Sequence, residues 1–336
     1  MKVAIIGAGF CGLAVAWNLF NQFPSSNLNV TLFDSKKIGE GTSGIAAGLL
    51  HPYAGLHAKL NWRGVEAFEE SRVLLKLAAN HSKEEVIADN LGILRLASTL
   101  QQQIDYQKSP ALLDPYVAWL NEQECQEKVS GCIVSPALWI KNGLTVYCEK
   151  YLQGLWGACE TKGARFQQHS VASLAELDNY SLVIITAGAL STTFEETKNI
   201  PLNIVKGQVL ELSWPTHLPP LSYALNSQAY IVMKQDNKSC LVGSSYERAN
   251  LTTDVDLKIA TKEILPKAIH LLPSLKDSEI ICGYAGLRAV TPNHLPFFRE
   301  IKKNCWILTG MGSKGLLYHA LMAKELVKAC LAIECE

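Results

Sequence analysis

The stretch Val3–Phe20, VAIIGAGFCGLAVAWNLF, decides how the chain folds. Val3 to Ile6 is a short apolar run of strand-forming residues. Gly7, Gly9 and Gly12 follow it and open an apolar segment that reads as a helix through Leu19. This is the strand–turn–helix context in which a glycine-rich fingerprint binds a dinucleotide. Gly7 permits the tight turn, Gly9 leaves room for a pyrophosphate, and Gly12 lets helix and strand pack closely. The helix N-terminus would meet the phosphates with its free N–H groups. A second strand, NVTLFD, ends at Asp34, whose carboxylate suits an adenosine ribose. The fingerprint alone does not separate NAD from FAD.

The next segment, GEGTSGIAAGLLHPYAG (Gly39–Gly55), favours FAD. Its small residues let backbone approach a large planar ligand, and its N–H groups can serve phosphate or flavin oxygens. Thr42, Ser43, Ala46, Ala47 and Gly48 are therefore candidate cofactor contacts, and His51 and Tyr53 are candidates for lining the ring or the substrate. YSLVIITAGALS (Tyr180–Ser191) is an apolar strand ending in Ala187 and Gly188, which admit a cofactor closely. Near the end, CWILTGMGSKGLLYHALMAKELVKACL reads as strand, turn and long amphipathic helix. Gly310, Gly312, Ser313, Lys314 and Gly315 form a second helix N-terminus with free N–H groups.

Between these pieces, NWRGVEAFEESRVLLKLAANH reads as a surface helix and GILRLA as a strand. LLDPYVAWLNEQECQEK (residues 112–128) reads as helical. From Asn199, NIPLNIVKGQVLEL, YIVMK, SCLVGSSYE and SEIICGYAGLR are strand-like, broken by a helix around Asp256–Leu271. They predict a mixed or antiparallel sheet. In GYAGLRAVTPNHLPFF (Gly283–Phe298) one cation, Arg288, stands in an almost uncharged stretch. A lone guanidinium in apolar company is costly unless paired. It serves either a carboxylate of the protein or an anion that arrives from outside.

The bulk numbers set limits. The 336 residues are 48% hydrophobic, and 31 Lys plus Arg balance 31 Asp plus Glu. A zero formal net charge without a basic run argues against extended contact with a nucleic-acid backbone. The ten cysteines never form a CxxC pair and read as reduced thiols filling the core, with no metal site. The glycine-rich start reads as a first strand rather than a leader, and no stretch is apolar enough to span a bilayer. A soluble cytoplasmic protein is the expectation.

Five segments, GAGFCG, TSGIAAG, SLVIITAGALS, GLRAVTPNHLP and TGMGSKG, together resemble the FAD-dependent oxidoreductases of the D-amino-acid oxidase superfamily. That group includes glycine oxidase, sarcosine oxidase and the oxidase domain of a bifunctional tRNA wobble-uridine modification enzyme. The resemblance implies an α/β fold with a Rossmann-like FAD-binding domain (residues 1–75, 143–203 and 281–336) and an inserted mixed-sheet substrate-binding domain (76–142 and 204–280). It implies FAD held non-covalently, because Gly286 occupies the apparent place of the cysteine that tethers flavin in monomeric sarcosine oxidases and Cys282 does not match it. Arg288 stands at the family's GxR arginine, which clamps a substrate carboxylate, and the glycine-rich turn at Gly310 would face the flavin's pyrimidine end. Three positions depart from relatives: Lys206 replaces an arginine, Asn293 an aspartate, and Lys314 an arginine of the tRNA-modifying members. A tyrosine commonly holds substrate, and Tyr53, Tyr223, Tyr230 and Tyr246 all qualify by region. Tyr246 is preferred because it follows the VGSS strand end.

The implied activity is oxidation of a small amino acid, glycine or a D-amino acid, to an imine that water hydrolyses to an oxo-acid and ammonia. Dioxygen, the second small-molecule partner, becomes hydrogen peroxide. Two alternatives use the same carboxylate clamp: removal of a carboxymethyl group from a tRNA wobble-uridine side chain, and oxidation of sarcosine or another secondary amine. Nucleic acid is a partner only under the first alternative.

Overall fold

Val3 to Ile6 are buried without exception, which makes β1 (Lys2–Ile6) an interior strand covered on both faces. The computed structural model describes residues 1–23, 27–55 and 57–333, so Cys335 lies outside the described residues. After β1 come α1 (Phe10–Gln22), β2 (Asn29–Asp34), β3 (Leu49–Leu50), α2 (Gly64–Asn80), β4 (Ile93–Leu96) and α3 (Leu100–Gln107). β5 (Val117–Leu120), α4 (Glu122–Lys128), β6 (Ala137–Ile140), β7 (Leu144–Thr145), α5 (Cys148–Thr161), β8 (Arg165–Gln168) and β9 (Leu182–Ile185) follow. The last third holds β10 (Asn203–Ser213), β11 (Ala224–Asn226), β12 (Tyr230–Met233), β13 (Ser239–Gly243), α6 (Leu257–Leu271), β14 (Ile280–Val290), β15 (Phe297–Lys302), β16 (Cys305–Thr309) and α7 (Gly315–Ile333).

A six-stranded sheet runs β15-β16-β9-β1-β2-β8, parallel except for the edge strand β15. α1, α2, α5 and α7 bury one of its faces through residues such as Leu13, Leu75, Leu155 and Tyr318. The other face is closed by short turns carrying Leu174, Leu177 and Phe194. Gly12 is what seats α1: a Cβ there would lie 1.8 Å from the Gly7 carbonyl oxygen. The eight-stranded sheet runs β14-β10-β13-β12-β11-β4-β6-β5, antiparallel except where β11 meets β4. α6 covers its far face, packing Ala260 and Ile264 near Leu210, Ile231 and Val242. The opposite face looks across a cavity at the parallel strands. Among the described residues no helix is long and apolar enough to cross a membrane.

The α/β architecture with a mixed second sheet matches the expectation, and two local readings differ. Residues 112–128 are not one helix. A 3-10 turn at Pro110–Leu113 gives way to β5, and α4 starts only at Glu122. Pro115 disfavours a helical residue before it. Asn121 and Glu124 then form a reciprocal capping box that sets the true helix start. The second difference concerns β14. It pairs along β10 with Val205 opposite Arg288 and Gly207 opposite Gly286. Residues 281–290, assigned from the sequence to the nucleotide-binding unit, are thus hydrogen-bonded into the eight-stranded sheet.

Candidate active site

A cavity of ≈ 400 Å3 opens where β1, β9 and β16 end, the place where open α/β sheets bind ligands. Its nucleotide-side wall is the start of α1 (Gly9, Phe10, Cys11), the 42–49 segment, Thr186 and Gly188 after β9, and the turn from Leu308 to Ser313. Three features of this wall fit a dinucleotide. Gly9, the N-cap of α1, offers no side chain to the helix's free N–H groups. Ser43 packs over that N-terminus, its Oγ accepting from the Phe10 amide at 3.3 Å. Thr309 lines the cavity with a buried Oγ1 that has no hydrogen-bond partner among the described residues. Such a group is unfavourable until a ligand meets it.

The sequence candidates separate by position. Gly9, Thr42, Ser43, Ala46, Ala47, Gly48, His51 and Gly188 come together on the cavity wall. Gly310, Gly312, Ser313 and Gly315 join them there, while Gly286 and Arg288 face them from the eight-stranded sheet. Gly7, Gly12, Asp34 and Ala187 lie outside the lining. Asp34 there accepts the Ala8 and Lys36 amides, at 2.8 and 3.0 Å, and keeps spare lone pairs for a ribose. Tyr53 is buried away from the cavity and donates to Asp114 at 2.7 Å. Tyr246 is 53% exposed and lines, with Lys314, a smaller outer hollow. Lys206 sits on the opposite sheet face from Gly207, buried, with Nζ donating to the Asp254 carbonyl at 2.6 Å. Cys282, farther along the same β14 face as Gly286 and Arg288, lies outside the lining and donates to Glu211, and Tyr223 packs in the core beneath the sheet.

The sheet side carries the polar groups. Arg288 is half-buried, and its hydrogen bond goes to a neutral partner, Ser244 Oγ at 3.1 Å. It forms no ion pair among the described residues. Its guanidinium lies flat over Gly207, where a Cβ would come within 2.2 Å of Nη2. Tyr230 also lines the cavity, its phenol against Gly243, the residue before Ser244. Burial pushes that phenol's pKa up, partly opposed by the Arg288 charge, so it stays protonated. His51 is buried, and its pKa falls to about 3 through burial first and the nearby Arg95 charge second. Its Nδ1 accepts the Tyr53 amide at 3.2 Å, so the neutral ring carries its proton on Nε2.

Sequence reasoning passed over Arg95 and Asn226, which stand directly opposite each other on β4 and β11 and line the same cavity. Arg95 is 3% exposed, donates to the Tyr53 and Gly55 carbonyls, and leaves Nε without a partner among the described residues. The signal was present: one guanidinium in the apolar run GILRLA, the same anomaly that marks Arg288.

Parallel strands ending on a glycine-rich helix N-terminus, opposed across one cavity by a mixed sheet that brings Arg288, Arg95 and Tyr230, define a two-sheet nucleotide-binding enzyme architecture. The family model described as DAO, FAD dependent oxidoreductase, matches residues 2–329, and the chain belongs to that family. It is an FAD-dependent oxidoreductase with FAD as cofactor. Among curated relatives, the tRNA 5-methylaminomethyl-2-thiouridine biosynthesis bifunctional protein MnmC of Polaromonas naphthalenivorans is 26% identical, over 97% of this chain and 56% of its own length. The chain thus spans about half the length of that relative. The glycine oxidase of Geobacillus kaustophilus is 23% identical over 95% of this chain and 90% of its own. The crystal structure of glycine oxidase from Geobacillus kaustophilus superposes with TM-score 0.83 at 21% identity, covering 99% of this chain and 95% of that one.

Proposed function

We propose that the chain oxidises the carbon–nitrogen bond of a small amine that bears a carboxylate, glycine or a D-amino acid, and that Arg288 holds that carboxylate. The observation that carries this reading is the half-buried Arg288 guanidinium, which faces the cavity without an ion-pair partner among the described residues. A planar fork of donors suits a carboxylate, and charged hydrogen bonds contribute about 1.5–3 kcal/mol each. The bound FAD supplies two-electron oxidation next to nitrogen. The chain's own residues orient the substrate for it. Ser244 and the flat Gly207 backbone fix the Arg288 plane. Tyr230, neutral and close to Arg288, offers a phenol to the carboxylate or amine. His51 presents a neutral Nε2–H and is too weakly basic to take a proton near neutral pH. The imine then meets water and falls to the oxo-acid and ammonia, while dioxygen is reduced to hydrogen peroxide. Non-covalent FAD is supported by the cavity's one thiol, Cys11, which burial pushes up to about 12, leaving little nucleophilic thiolate.

The test is an anaerobic screen of the yellow holoenzyme against D-amino acids, their L-enantiomers, glycine, sarcosine and L-proline, following loss of the oxidised flavin band. Bleaching by glycine or a D-amino acid is the expected result, and silence across the panel would sink the reading. A second reading, oxidation of a carboxymethylaminomethyl group on a tRNA wobble uridine, is favoured by the MnmC relatives that match 97% of this chain. Undermodified tRNA is its probe in the same assay.

A further inference from the structure

Beyond Arg288 lies a second hollow of ≈ 150 Å3, which shares Arg288 and the Gly310–Ser313 turn with the main cavity. Its remaining walls are Tyr246, Val290, His294 and Lys314. Among the described residues no Asp or Glu lines it. Glu247, the acid nearest in sequence to Tyr246, turns inward: its Oε1 accepts from Gln208 Nε2 at 2.9 Å and from Ser245 Oγ. Arg248 stacks over the Tyr246 ring at 5.7 Å and adds a cation beside it. The Lys314 ammonium has no ion pair or side-chain hydrogen bond among the described residues, and burial alone depresses its pKa. Two unpaired cations, Arg288 and Lys314, therefore border one small acid-free hollow. A cavity of about 150 Å3 is large enough for a six-atom ring, so a carboxymethyl or phosphate group has room.

Resting on the amine-oxidation reading above, we propose that this hollow is an anion subsite for a second negatively charged group of the substrate. The enzyme then prefers amines with two anionic groups over glycine or sarcosine. The shared chemistry is an anionic oxygen group set against Lys314 while a carboxylate occupies Arg288. Its source is either a second carboxylate or a nucleotide phosphate.

The first arm compares iminodiacetate with sarcosine, which lacks only the second carboxylate, in steady-state turnover with dioxygen. The expected kcat/KM for iminodiacetate is higher by about tenfold or more. Lys314→Met should collapse that ratio mainly through KM, and Lys314→Arg should restore most of it. A second arm needs no turnover: thiodiacetate should perturb the flavin spectrum at lower concentration than (methylthio)acetate, and Lys314→Met should erase the difference. In a third arm, 5-carboxymethylaminomethyluridine 5′-monophosphate is set against its nucleoside. A Lys314-dependent preference for the phosphorylated form there supports the subsite and assigns its anion to phosphate. Equal ratios in every arm of the wild type, or ratios unmoved by Lys314→Met, would overturn the subsite. If no amine bleaches the flavin while thiodiacetate binding still depends on Lys314, the oxidation reading fails and the subsite stands.

Discussion

Arg288 and Gly207 act as one unit, because the guanidinium lies where any side chain at 207 would go. Gly207→Ala must push it aside, a Cβ standing 2.2 Å from Nη2. The expected result is a KM for the carboxylate-bearing amine raised by about tenfold or more, with the flavin-to-protein absorbance ratio unchanged. Steady-state kinetics beside a flavin spectrum checks both halves. Arg288 was legible in the sequence because a single cation in an apolar run is anomalous by composition alone. Arg95 carries the same signal, but nothing in GILRLA says that its strand borders the cavity. The choice among tyrosines was not legible either. Alternation along SCLVGSSYE tells which residues share a face, not which face meets the cofactor. The register that sets Tyr230 opposite Gly243 decides this, and that register is formed between strands.

At the scale of elements, the helical layer is pinned by a buried pair between α5 and α7. His319 Nδ1–H donates to the Leu316 carbonyl at 3.0 Å, which leaves Nε2 to accept the Tyr151 hydroxyl at 2.6 Å. Tyr151→Phe strands that buried lone pair, and a loss of about 1–3 kcal/mol in urea unfolding is expected. Burial lowers the His319 pKa from 6.5 to about 4. The unfolded chain therefore takes up a proton in that window while the folded one does not, and stability falls as pH drops from 6.5 toward 4. Above 6.5 the contribution is constant. Melting temperatures of His319→Gln should be flatter across the window than those of the wild type, with His51 still contributing some slope. Helices with plain periodicity, such as α2, were legible. The 112–128 segment was not, because the VAWL run fits a helix or a strand until Pro115 and the Asn121 cap are weighed together.

The whole molecule is two sheets holding one cavity between them. The parallel sheet was legible because its signature is local: a strand, three glycines and a helix within twenty residues. The eight-stranded sheet draws β4, β5 and β6 from one part of the chain and β10 to β14 from another. Its existence could be read from the strand-like runs, but its order, and the membership of β14, rest on pairings between strands distant in sequence, such as Asn226 with Arg95 and Asn203 with Val290. The cavity inherits that division, taking its glycine-rich wall from the legible half and Arg95, Tyr230 and Arg288 from the other. In the proposed reaction Arg288 receives the substrate carboxylate. The direct test is stopped-flow reduction of the holoenzyme's FAD, without oxygen, by the best amine of the panel, in the wild type and in Arg288→Gln. The second-order rate constant for flavin reduction is expected to fall about a hundredfold or more while FAD content stays at the wild-type level. Reduction of Arg288→Gln at the wild-type rate would contradict it.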